Sequence, residues 1–450
     1  MIFIISITQR CRSPIDAEVP EWSGSEHLYE ILAKPSPIDA EVPEWSNGTG
    51  LGPVGLVPTK VRILASAFII KMQIKEQIKE VSVVKCKDYS QKKIDEAVSK
   101  ALKLIEFNPE NYRNKKILIK PNILGSYEKN QIAITTHPSV VRAVCKIFKK
   151  VNAKIYIGES SFMNTDKAFK KSGIEKIAKE YSFNKKPIIF EQEKLIKIHD
   201  NKSKILKTFP IAEIVKKVDL IVNIPKMKTH SLARVTLGIK NLYGLIPGGL
   251  KQRFHKKAGG NKFSEILVDI YQNVKDKVKL NILDGVVGME GHGPASGEQK
   301  KSGFILASKD TVALDIAASK IMDFNPKKIP AIKFSVKRGL YTGYGFELKG
   351  LKKLPVIHFK KPRELSLKSK LRRLFSREQP IVCDIEKCIK CGTCAKHCPA
   401  KAITLKPYPI IDKRKCIRCF CCMEVCPVNA LSLGKPGDNM WQNSKNAEKN

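Results

Sequence analysis

Ten of the chain's thirteen cysteines lie between Cys383 and Cys426, and eight of them repeat a single spacing. Thiolate sulfur is a soft ligand that holds iron–sulfur clusters or zinc, and paired thiols form disulfides in oxidising compartments. The spacing therefore predicts a metal centre or a disulfide framework in this part of the chain. The two runs are Cys388-x2-Cys391-x2-Cys394-x3-Cys398-Pro399 and Cys416-x2-Cys419-x2-Cys422-x3-Cys426-Pro427.

The spacing is typical of bacterial ferredoxins, in which three close cysteines hold one four-iron, four-sulfur cluster and the distal cysteine binds the other cluster. Zinc sites would need only two CxxC pairs, and disulfides fit poorly with a chain that shows no secretory signal. We therefore predict two 4Fe-4S clusters. The predicted ligands are Cys388, Cys391, Cys394 and Cys426 for one cluster, and Cys416, Cys419, Cys422 and Cys398 for the other.

Two further cysteines in this region, Cys383 and Cys421, are not needed as ligands. Cys421 competes in principle with its neighbour, but only Cys422 keeps the two-residue spacing. We expect Cys421 to be a buried thiol beside a cluster.

Composition describes a globular protein of two or three domains. The chain has 450 residues, of which 42% are hydrophobic and 28% are charged, so it can bury a sizeable core. No apolar run approaches the roughly 20 residues that a membrane-spanning helix needs. The apolar start, Met1 to Ile7, is short and has no basic residue before it, so it is a poor signal peptide. We expect a cytoplasmic protein without a transmembrane segment.

The formal net charge is +39, which raises the possibility of nucleic-acid binding through phosphate contacts. The lysines are spread along most of the chain with few aromatic residues for base stacking, so nucleic acid is an unlikely partner. The densest basic patch, Lys368 to Phe375, is either a docking helix for an acidic partner or membrane surface, or a solvated connector.

The first 70 residues do not resemble a domain. Ser13 to Ser23 recurs without change as Ser36 to Ser46, which is more exact than a structural repeat requires. Lys60 to Leu64 can be encoded by a sequence that contains the T arm of a transfer RNA. Our hypothesis is that residues 1–71 are translated transfer-RNA genes and that the protein starts at Met72, with a disordered extension as the alternative.

From residue 81 onward, apolar runs alternate with segments of helical periodicity. Strands without a polar face that alternate with helices predict an α/β fold, a mainly parallel sheet covered by helices. We predict this α/β domain over 72–360, a basic linker over 361–380, a small α+β ferredoxin-like dicluster domain over 381–434 and a polar tail over 435–450. Predicted strands are 81–84, 116–122, 154–159, 188–190, 220–224, 280–284, 303–307 and 356–359, and predicted helices are 91–105, 139–151, 165–181, 262–274 and 311–322.

Polar residues follow several of these strands, and ligands of such sheets collect at the carboxyl ends of strands. Lysines, a histidine and amides in loops suit an anionic ligand, and nearby carboxylates suit acid/base chemistry. Each residue alone is equally consistent with a solvated charge or a turn. The candidate catalytic residues are Lys228, His230, Lys240, Asp284 and Glu290, and the candidate anion-binding residues are Lys120, Asn122, Asn241 and His255.

The segment from Lys226 through His255 resembles the core of the family called domain of unknown function 362, through Lys228-Thr229-His230 and Lys240-Asn241-Leu242-Tyr243-Gly244. Asp284-Gly285, Gly291-x-Gly293-Pro294 and Asp310 with Asp315 are similar to its later blocks. The resemblance covers roughly residues 80–434 and implies an α/β domain followed by a dicluster ferredoxin domain. It implies no particular reaction.

Two functions follow. In the first, two 4Fe-4S clusters relay electrons between an external carrier or redox enzyme and an α/β domain that acts on an anionic small molecule. In the second, the protein is a non-enzymatic electron-transfer or scaffold protein whose α/β domain docks a redox partner.

Overall fold

The computed structural model describes residues 79–127, 131–162, 164–248, 250–251, 254, 261–362, 381–412, 415–416, 421–428, 430–434 and 441–442. These residues belong to one compact unit of the chain, 67–450. The predicted extension over 1–71, most of the basic linker and most of the polar tail lie outside the described residues, as do Cys419 and His255.

The α/β domain contains twelve strands among its described residues, ten of them in one sheet. The strands are β1 (Glu80–Lys85), β2 (Lys116–Pro121), β3 (Lys154–Glu159), β4 (Ile188–Ile189), β5 (Leu195–His199), β6 (Thr208–Ala212), β7 (Leu220–Ile224), β8 (Lys226–His230), β9 (Arg234–Thr236), β10 (Leu280–Glu290), β11 (Glu298–Ser308) and β12 (Glu347–Lys349).

The main sheet has the order β12-β1-β11-β10-β7-β2-β3-β4, with β8 paired to β10 and β9. The neighbours β10, β7, β2, β3 and β4 are parallel, whereas β11 is antiparallel to both β10 and β1. The prediction of a mainly parallel sheet is therefore confirmed. The carboxyl ends of β2, β3 and β7 lie side by side, so the loops that follow these strands meet at one edge.

Helices cover both faces of the sheet. Alternate residues of β2 enter different cores: Leu118 packs in one, and Ile117 and Ile119 pack in the other. Such strands have no polar face because neither face meets water. The helices are α1 (Gln91–Leu104), α2 (Gln131–Ile134), α3 (Pro138–Lys150), α4 (Thr165–Ser172), α5 (Ile174–Tyr181), α6 (Ile214–Lys217), α7 (Gly238–Asn241), α8 (Lys262–Val274), α9 (Thr311–Ile321) and α10 (Pro330–Lys337).

Two predicted elements differ from the structure. The helix predicted over 165–181 divides at Gly173, whose φ of 76° is left-handed and ends α4, a conformation that favours glycine. No strand forms over 356–359. There Phe359 is buried in the core while Val356 is exposed, and Ile357 N–H donates to the Ile321 carbonyl at the end of α9. The apolar pattern therefore reflects an extended segment that covers the core, not a paired strand.

The carboxyl-terminal domain is small and of the α+β type, as predicted. Its strands are β13 (Ile381–Asp384), β14 (Ile403–Lys406), β15 (Tyr408–Ile411), β16 (Leu431–Leu433) and β17 (Trp441–Gln442), and its described helices are α11 (Thr393–Lys396) and α12 (Cys421–Glu424). β13 lies between β16 and β17, and β14 pairs with β15 as a hairpin. Within the described part of the chain, no helix has the length and apolar character that crossing a membrane requires.

Candidate functional site

Four cysteines from both runs line one cavity in the carboxyl-terminal domain. Cys388, Cys391 and Cys394 come from the first run and Cys426 from the second, which is the crossed set that the spacing predicts for one cluster. Among the described residues, no three His, Cys, Asp or Glu side chains converge on a single metal ion. Four sulfurs placed around a cavity suit a cluster of several atoms instead. Apolar residues complete much of the wall: Ile389, Leu405, Pro409, Val428 and Leu431.

The first cysteine loop curls because two of its residues have left-handed backbone. Lys390 has a φ of 55° and Gly392 a φ of 70°, and the non-glycine residue costs about 1 kcal/mol there. The Cys388 N–H donates to the Asp384 carbonyl at the end of β13, with an N–O distance of 3.0 Å. This anchored, curled loop places three sulfurs on one wall of the cavity.

Burial opposes ionisation of the cavity thiols. It raises the pKa of Cys394 to about 11 and also raises the pKa of Cys426. The Ala430 N–H acts in the other direction, since it donates to the Cys426 sulfur over 3.1 Å. Metal ligands are thiolates, so a bound group must bring the positive charge that offsets this desolvation. The residues around the cavity therefore fit an iron–sulfur cluster.

The second predicted set is described in part. Cys398 and Cys416 pack against the core of the carboxyl-terminal domain, which includes Cys422, and Cys419 lies outside the described residues. Cys421 packs elsewhere, in a cluster with Phe162 and Val425. Of the two adjacent cysteines, Cys422 is thus the one that packs in the domain's own core, and its choice as ligand stays a prediction.

The carboxyl-terminal domain contacts the α/β domain through three loops. Phe162 and Leu124 pack against Cys421 and Val425 of the second cysteine run, and Leu232 packs against the carboxyl-terminal core. The first two loops are joined by the Phe162 N–H, which donates to the Leu124 carbonyl over 3.1 Å. These loops follow β3, β2 and β8, so the contact lies at the edge where polar residues were predicted to collect.

A buried ion pair joins the ends of β2 and β3. Lys120 Nζ lies 2.5 Å from Glu159 Oε2, and both side chains are almost fully buried. Burial lowers the pKa of Lys120 and raises that of Glu159, and each charge counteracts the shift of the other. Gly244 lies against this pair, since a Cβ there would come within 2.2 Å of Glu159 Oε1 and 2.5 Å of Lys120 Nζ. A larger residue at this position of the Lys240–Gly244 motif would therefore displace the ion pair.

A second lysine lies beside this pair. Lys251 Nζ donates to the Ser160 carbonyl and, over 3.1 Å, to the Ser160 hydroxyl, which in turn donates to Glu191 over 2.7 Å. Burial lowers the pKa of Lys251 to about 8, while Glu159 and Glu191 act to raise it. Lys120 and Lys240 lower it further, so the three lysines lie within electrostatic reach of one another.

A chain of hydrogen bonds links the amides along the same edge. Lys228 Nζ donates to Asn122 Oδ1 over 2.9 Å, and the Asn122 amide donates to Asn241 Oδ1 over 2.8 Å. Asn241 donates to Asn223, which donates to Asn281. Lys120, Asn122, Lys228 and Asn241, predicted from separate segments, therefore belong to one strand-end network.

Asp284 lies in a neighbouring cluster. Lys226 Nζ donates to Asp284 Oδ2 over 2.8 Å, and Tyr89 donates to Asp284 Oδ1 over the same distance. The His137 N–H also donates to Asp284, over 2.9 Å, and its ring stacks on Tyr89 at 3.8 Å. Burial lowers the pKa of His137 to about 4 and raises that of Tyr89. Asp284 is thus held by four donors, counting Val286 N–H, which is the environment of a structural carboxylate.

The remaining predicted residues make other contacts. His230 is buried and its Nδ1 accepts the N–H groups of Leu232 and Ala233, so it shapes the turn between β8 and β9. Lys240 lies over the rings of Tyr243 and Phe263 at 5.0 and 5.4 Å. Glu290 accepts the Lys360 N–H over 2.9 Å at the far end of β10.

Sequence reasoning did not choose several residues of these clusters as site residues: Glu159, Ser160, Glu191, Lys251, Tyr89, His137 and Asp315. Glu159 ends β3 and Ser160 directly follows it, so their strand-end position was a usable signal. Asp315 lies in the middle of α9 and accepts the N–H groups of Gly238 and Ile239 at 2.6 and 3.0 Å. It supports the helix that carries Asn241, and burial raises its pKa to about 7. No local pattern marks such a role.

A parallel α/β domain with polar strand-end loops, joined to a cysteine-lined cluster domain, defines an iron–sulfur protein of the electron-transfer class. Residues 117–320 match the family model described as "Domain of unknown function (DUF362)", and residues 387–435 match the "4Fe-4S dicluster domain". The chain is therefore similar to the DUF362 family over residues 117–320 and to 4Fe-4S dicluster domains over residues 387–435, and all eight predicted ligands fall within the second match.

Two known proteins show similarity to the chain. A thylakoid-associated protein of Synechocystis sp. is 29% identical over 229 residues, which cover 50% of this chain and 68% of that protein. A crystal structure of a Thermotoga maritima protein matches with a TM-score of 0.29 and 15% identity, over 44% of this chain and 51% of that chain. The chain thus spans about half the length of that solved chain. The cytoplasmic location stays a prediction.

Proposed function

We propose that the dicluster domain holds two 4Fe-4S clusters that relay electrons between an external carrier and the strand-end edge of the α/β domain, which acts on an anionic small molecule. Bound clusters of this type supply one-electron transfer, at potentials from about −700 to +450 mV. Cys388, Cys391, Cys394 and Cys426 would hold one cluster. Cys398, Cys416, Cys419 and Cys422 would hold the other.

The contact between the two domains is the observation that carries this proposal. Leu124 and Phe162 lie two residues beyond Asn122 and Ser160, and they pack on Cys421 and Val425 beside the second cluster set. The same short loops therefore carry strand-end polar groups at one end and touch the cluster domain at the other. Such continuity suits a relay that ends at this edge of the sheet.

The charges at the edge support an anionic substrate. Lys120, Lys240 and Lys251 lie near two carboxylates, Glu159 and Glu191, so positive charge is in excess. Excess positive charge in a poorly solvated site favours a carboxylate or phosphate ligand. Lys240 and Asn122 are only half-buried, and they are the groups through which an anion would enter.

The first test is anaerobic purification followed by iron and sulfide analysis and a spectroscopic reductive titration. We expect about eight iron and eight sulfide per chain and two one-electron reductions. A chain that binds zinc in place of iron, or holds a single cluster, contradicts the proposal.

The second test addresses the substrate. The reduced chain is titrated with inorganic phosphate and with dicarboxylates while the cluster spectrum and midpoint potential are followed. We expect at least one anion to shift the potential in the wild type, with a weaker shift in Lys240→Met. Lys116→Met is the matched control, because this exposed lysine begins β2 at the opposite end of the strand. Equal behaviour of the two variants contradicts an anion site at the edge.

A second function is favoured by the pairing of the strand-end charges. Lys120 with Glu159, and Lys226 with Asp284, are buried pairs that satisfy one another, as in a purely structural network. The protein would then carry electrons without chemistry of its own, and its α/β domain would dock a redox partner. In that case the titration shows two reductions but no anion shifts the potential.

A further inference from the structure

The cysteine-lined cavity opens beside an exposed apolar patch. Five large hydrophobic side chains are exposed among the described residues, and two of them, Ile389 and Leu405, lie on the rim of this cavity. Ile389 is 60% exposed and Leu405 41% exposed. Cys391, which lines the same cavity, is itself exposed. The first cluster set is thus close to solvent on the side where the surface is apolar.

Lysines flank this apolar patch. Lys390 lies on the cavity rim between Ile389 and Cys391, and its ammonium sits 4.9 Å from the ring centre of Tyr408. Lys406 is directly opposite Tyr408 in the β14–β15 hairpin and is exposed. Lys390 thus contacts the ring of Tyr408, and Lys406 is the register partner of that residue. No carboxylate among the described residues forms an ion pair with either of them.

The two cluster sets differ in their surroundings. The first set opens to solvent at Cys391, whereas the second run packs through Cys421, which is fully buried, and Val425 onto Phe162 of the α/β domain. Electrons that reach the α/β domain through the second set must enter the chain elsewhere. Among the described residues, the exposed rim of the first set offers a place for that entry.

We propose that the carrier patch, defined as Ile389, Lys390, Cys391, Leu405 and Lys406, docks a small acidic electron-carrier protein. The proposal rests on the relay proposed above and specifies that its external electron carrier is an acidic protein. One electron passes at this contact: the reduced carrier loses it and the cluster held by Cys388, Cys391, Cys394 and Cys426 gains it, or the reverse. No proton or covalent bond is involved.

Charge and size favour an acidic protein over other occupants. A few apolar side chains within a charged rim are typical of small, transient redox interfaces, which bury less than about 1,200 Å². Lys390 lies on the rim of the cavity and Lys406 is exposed beside it, so both charges are available to a partner. The net charge of +39 adds long-range attraction for an acidic protein, which raises association rates at low salt.

The experiment uses the full chain with its clusters reduced under anaerobic conditions and a stopped-flow spectrometer. The acceptors are an oxidised flavodoxin, which is a small acidic protein, and oxidised cytochrome c, which is basic. The variants are Lys390→Glu, Lys406→Glu and Leu405→Ser. Lys185→Glu is the matched control, because Lys185 is also exposed and also has a φ of 55°, but lies on the α/β domain.

We expect the second-order rate with flavodoxin to fall about tenfold or more in each lysine variant at low salt, and to converge with the wild type at high salt. The rate with cytochrome c should rise in the same variants. Leu405→Ser should slow flavodoxin at every salt concentration, because it removes apolar contact and no charge. Lys185→Glu should leave the flavodoxin rate within about twofold of the wild type.

Iron and sulfide are measured in each variant, so that a lost cluster is not read as lost docking. If Lys390→Glu and Lys406→Glu keep their clusters and match Lys185→Glu, the docking proposal is overturned and the relay is unaffected. Binding of the wild type to anionic lipid vesicles that is lost in the lysine variants also overturns it, in favour of a membrane surface. A wild-type chain without a reducible cluster overturns both proposals.

Discussion

The cysteine cavity and the strand-end network are both made of ionisable side chains, but they use them in opposite ways. Around the cavity, Cys388, Cys391, Cys394 and Cys426 face a common space. In the network, lysines, carboxylates and amides bond to one another, as Lys120 does to Glu159. A metal centre needs ligands that do not bond to one another and so remain able to bind the metal. A buried network, in contrast, holds loops together because its charges pair with one another.

Removal of one cavity thiol gives the largest expected effect. Cys426→Ala deletes the ligand that crosses from the second run to the first cluster, and an alanine cannot bind iron. We expect the variant to hold about half of the wild-type iron and sulfide when purified anaerobically. Cys383→Ala is the control, because Cys383 lines the same cavity but lies outside the spacing. Equal iron content in the two variants would mean that the crossed ligand set is wrong.

Removal of one network charge should instead destabilise the fold. Glu159→Ala leaves Lys120 buried without its carboxylate, and an uncompensated buried charge costs about 3–5 kcal/mol of unfolding free energy. We expect a matching shift in urea denaturation followed by far-UV circular dichroism. The double variant Lys120→Met, Glu159→Met should lose much less, because it removes both charges. If the double variant were as unstable as the single one, the pair would not be the source of the effect.

The difference between the regions also explains what the sequence could predict. The cysteine spacing identifies a cluster site because ligand geometry depends on short-range spacing along the chain, and the loop from Cys388 to Cys394 carries three ligands by itself. The alternation of apolar runs and helices predicts the parallel sheet for a similar reason. The apolar residues of a strand show directly that the strand is buried, as Ile117, Leu118 and Ile119 do in β2.

The strand-end network could be predicted only in part. Lys120 and Asn122 lie at the carboxyl end of β2, so position along the chain places them at this edge. Lys228 lies within β8, and Asn241 ends α7. The partners of a buried charge are not local: Glu159 lies 39 residues from Lys120, and Lys226 lies 58 residues from Asp284. Asp315 supports Gly238 across 77 residues. Such pairings are decided by sheet register, which a single sequence does not report.

The pH dependence of stability tests whether burial in the Asp284 cluster keeps the His137 ring uncharged. The pKa of His137 is about 4 in the folded chain and 6.5 as its ordinary value. Between these values the unfolded chain binds a proton that the folded chain does not, so stability falls as pH falls from about 6.5 to 4. We expect a loss on the order of 2 kcal/mol over this range, allowing for partial exposure. Tyr89 stacks on the ring, while Asp284 acts to raise its pKa and Lys226 to lower it.

His137→Asn is the informative variant for this prediction. The His137 ring accepts the Ser139 N–H and caps α3, and asparagine is also a good N-cap without titrating. Its stability should therefore change less between pH 6.5 and 4 than that of the wild type. Asp315 titrates in the opposite sense, since its pKa is raised to about 7 and its contribution is lost as pH rises. It is common to both proteins, so the difference between their pH profiles isolates His137.

The smallest expected effect comes from breaking a partly exposed ion pair. It tests whether burial or contact distance sets the strength of an ion pair. Lys146 Nζ lies 2.5 Å from Asp95 Oδ2, the same separation as in the Lys120–Glu159 pair, but these side chains are 39% and 33% exposed. Water screens such a pair and can solvate either charge alone, so Lys146→Met should cost less than about 1 kcal/mol. Urea denaturation under the conditions used for Glu159→Ala provides the comparison. A loss of 3 kcal/mol or more for Lys146→Met would show that contact distance, not burial, sets the strength of the strand-end network.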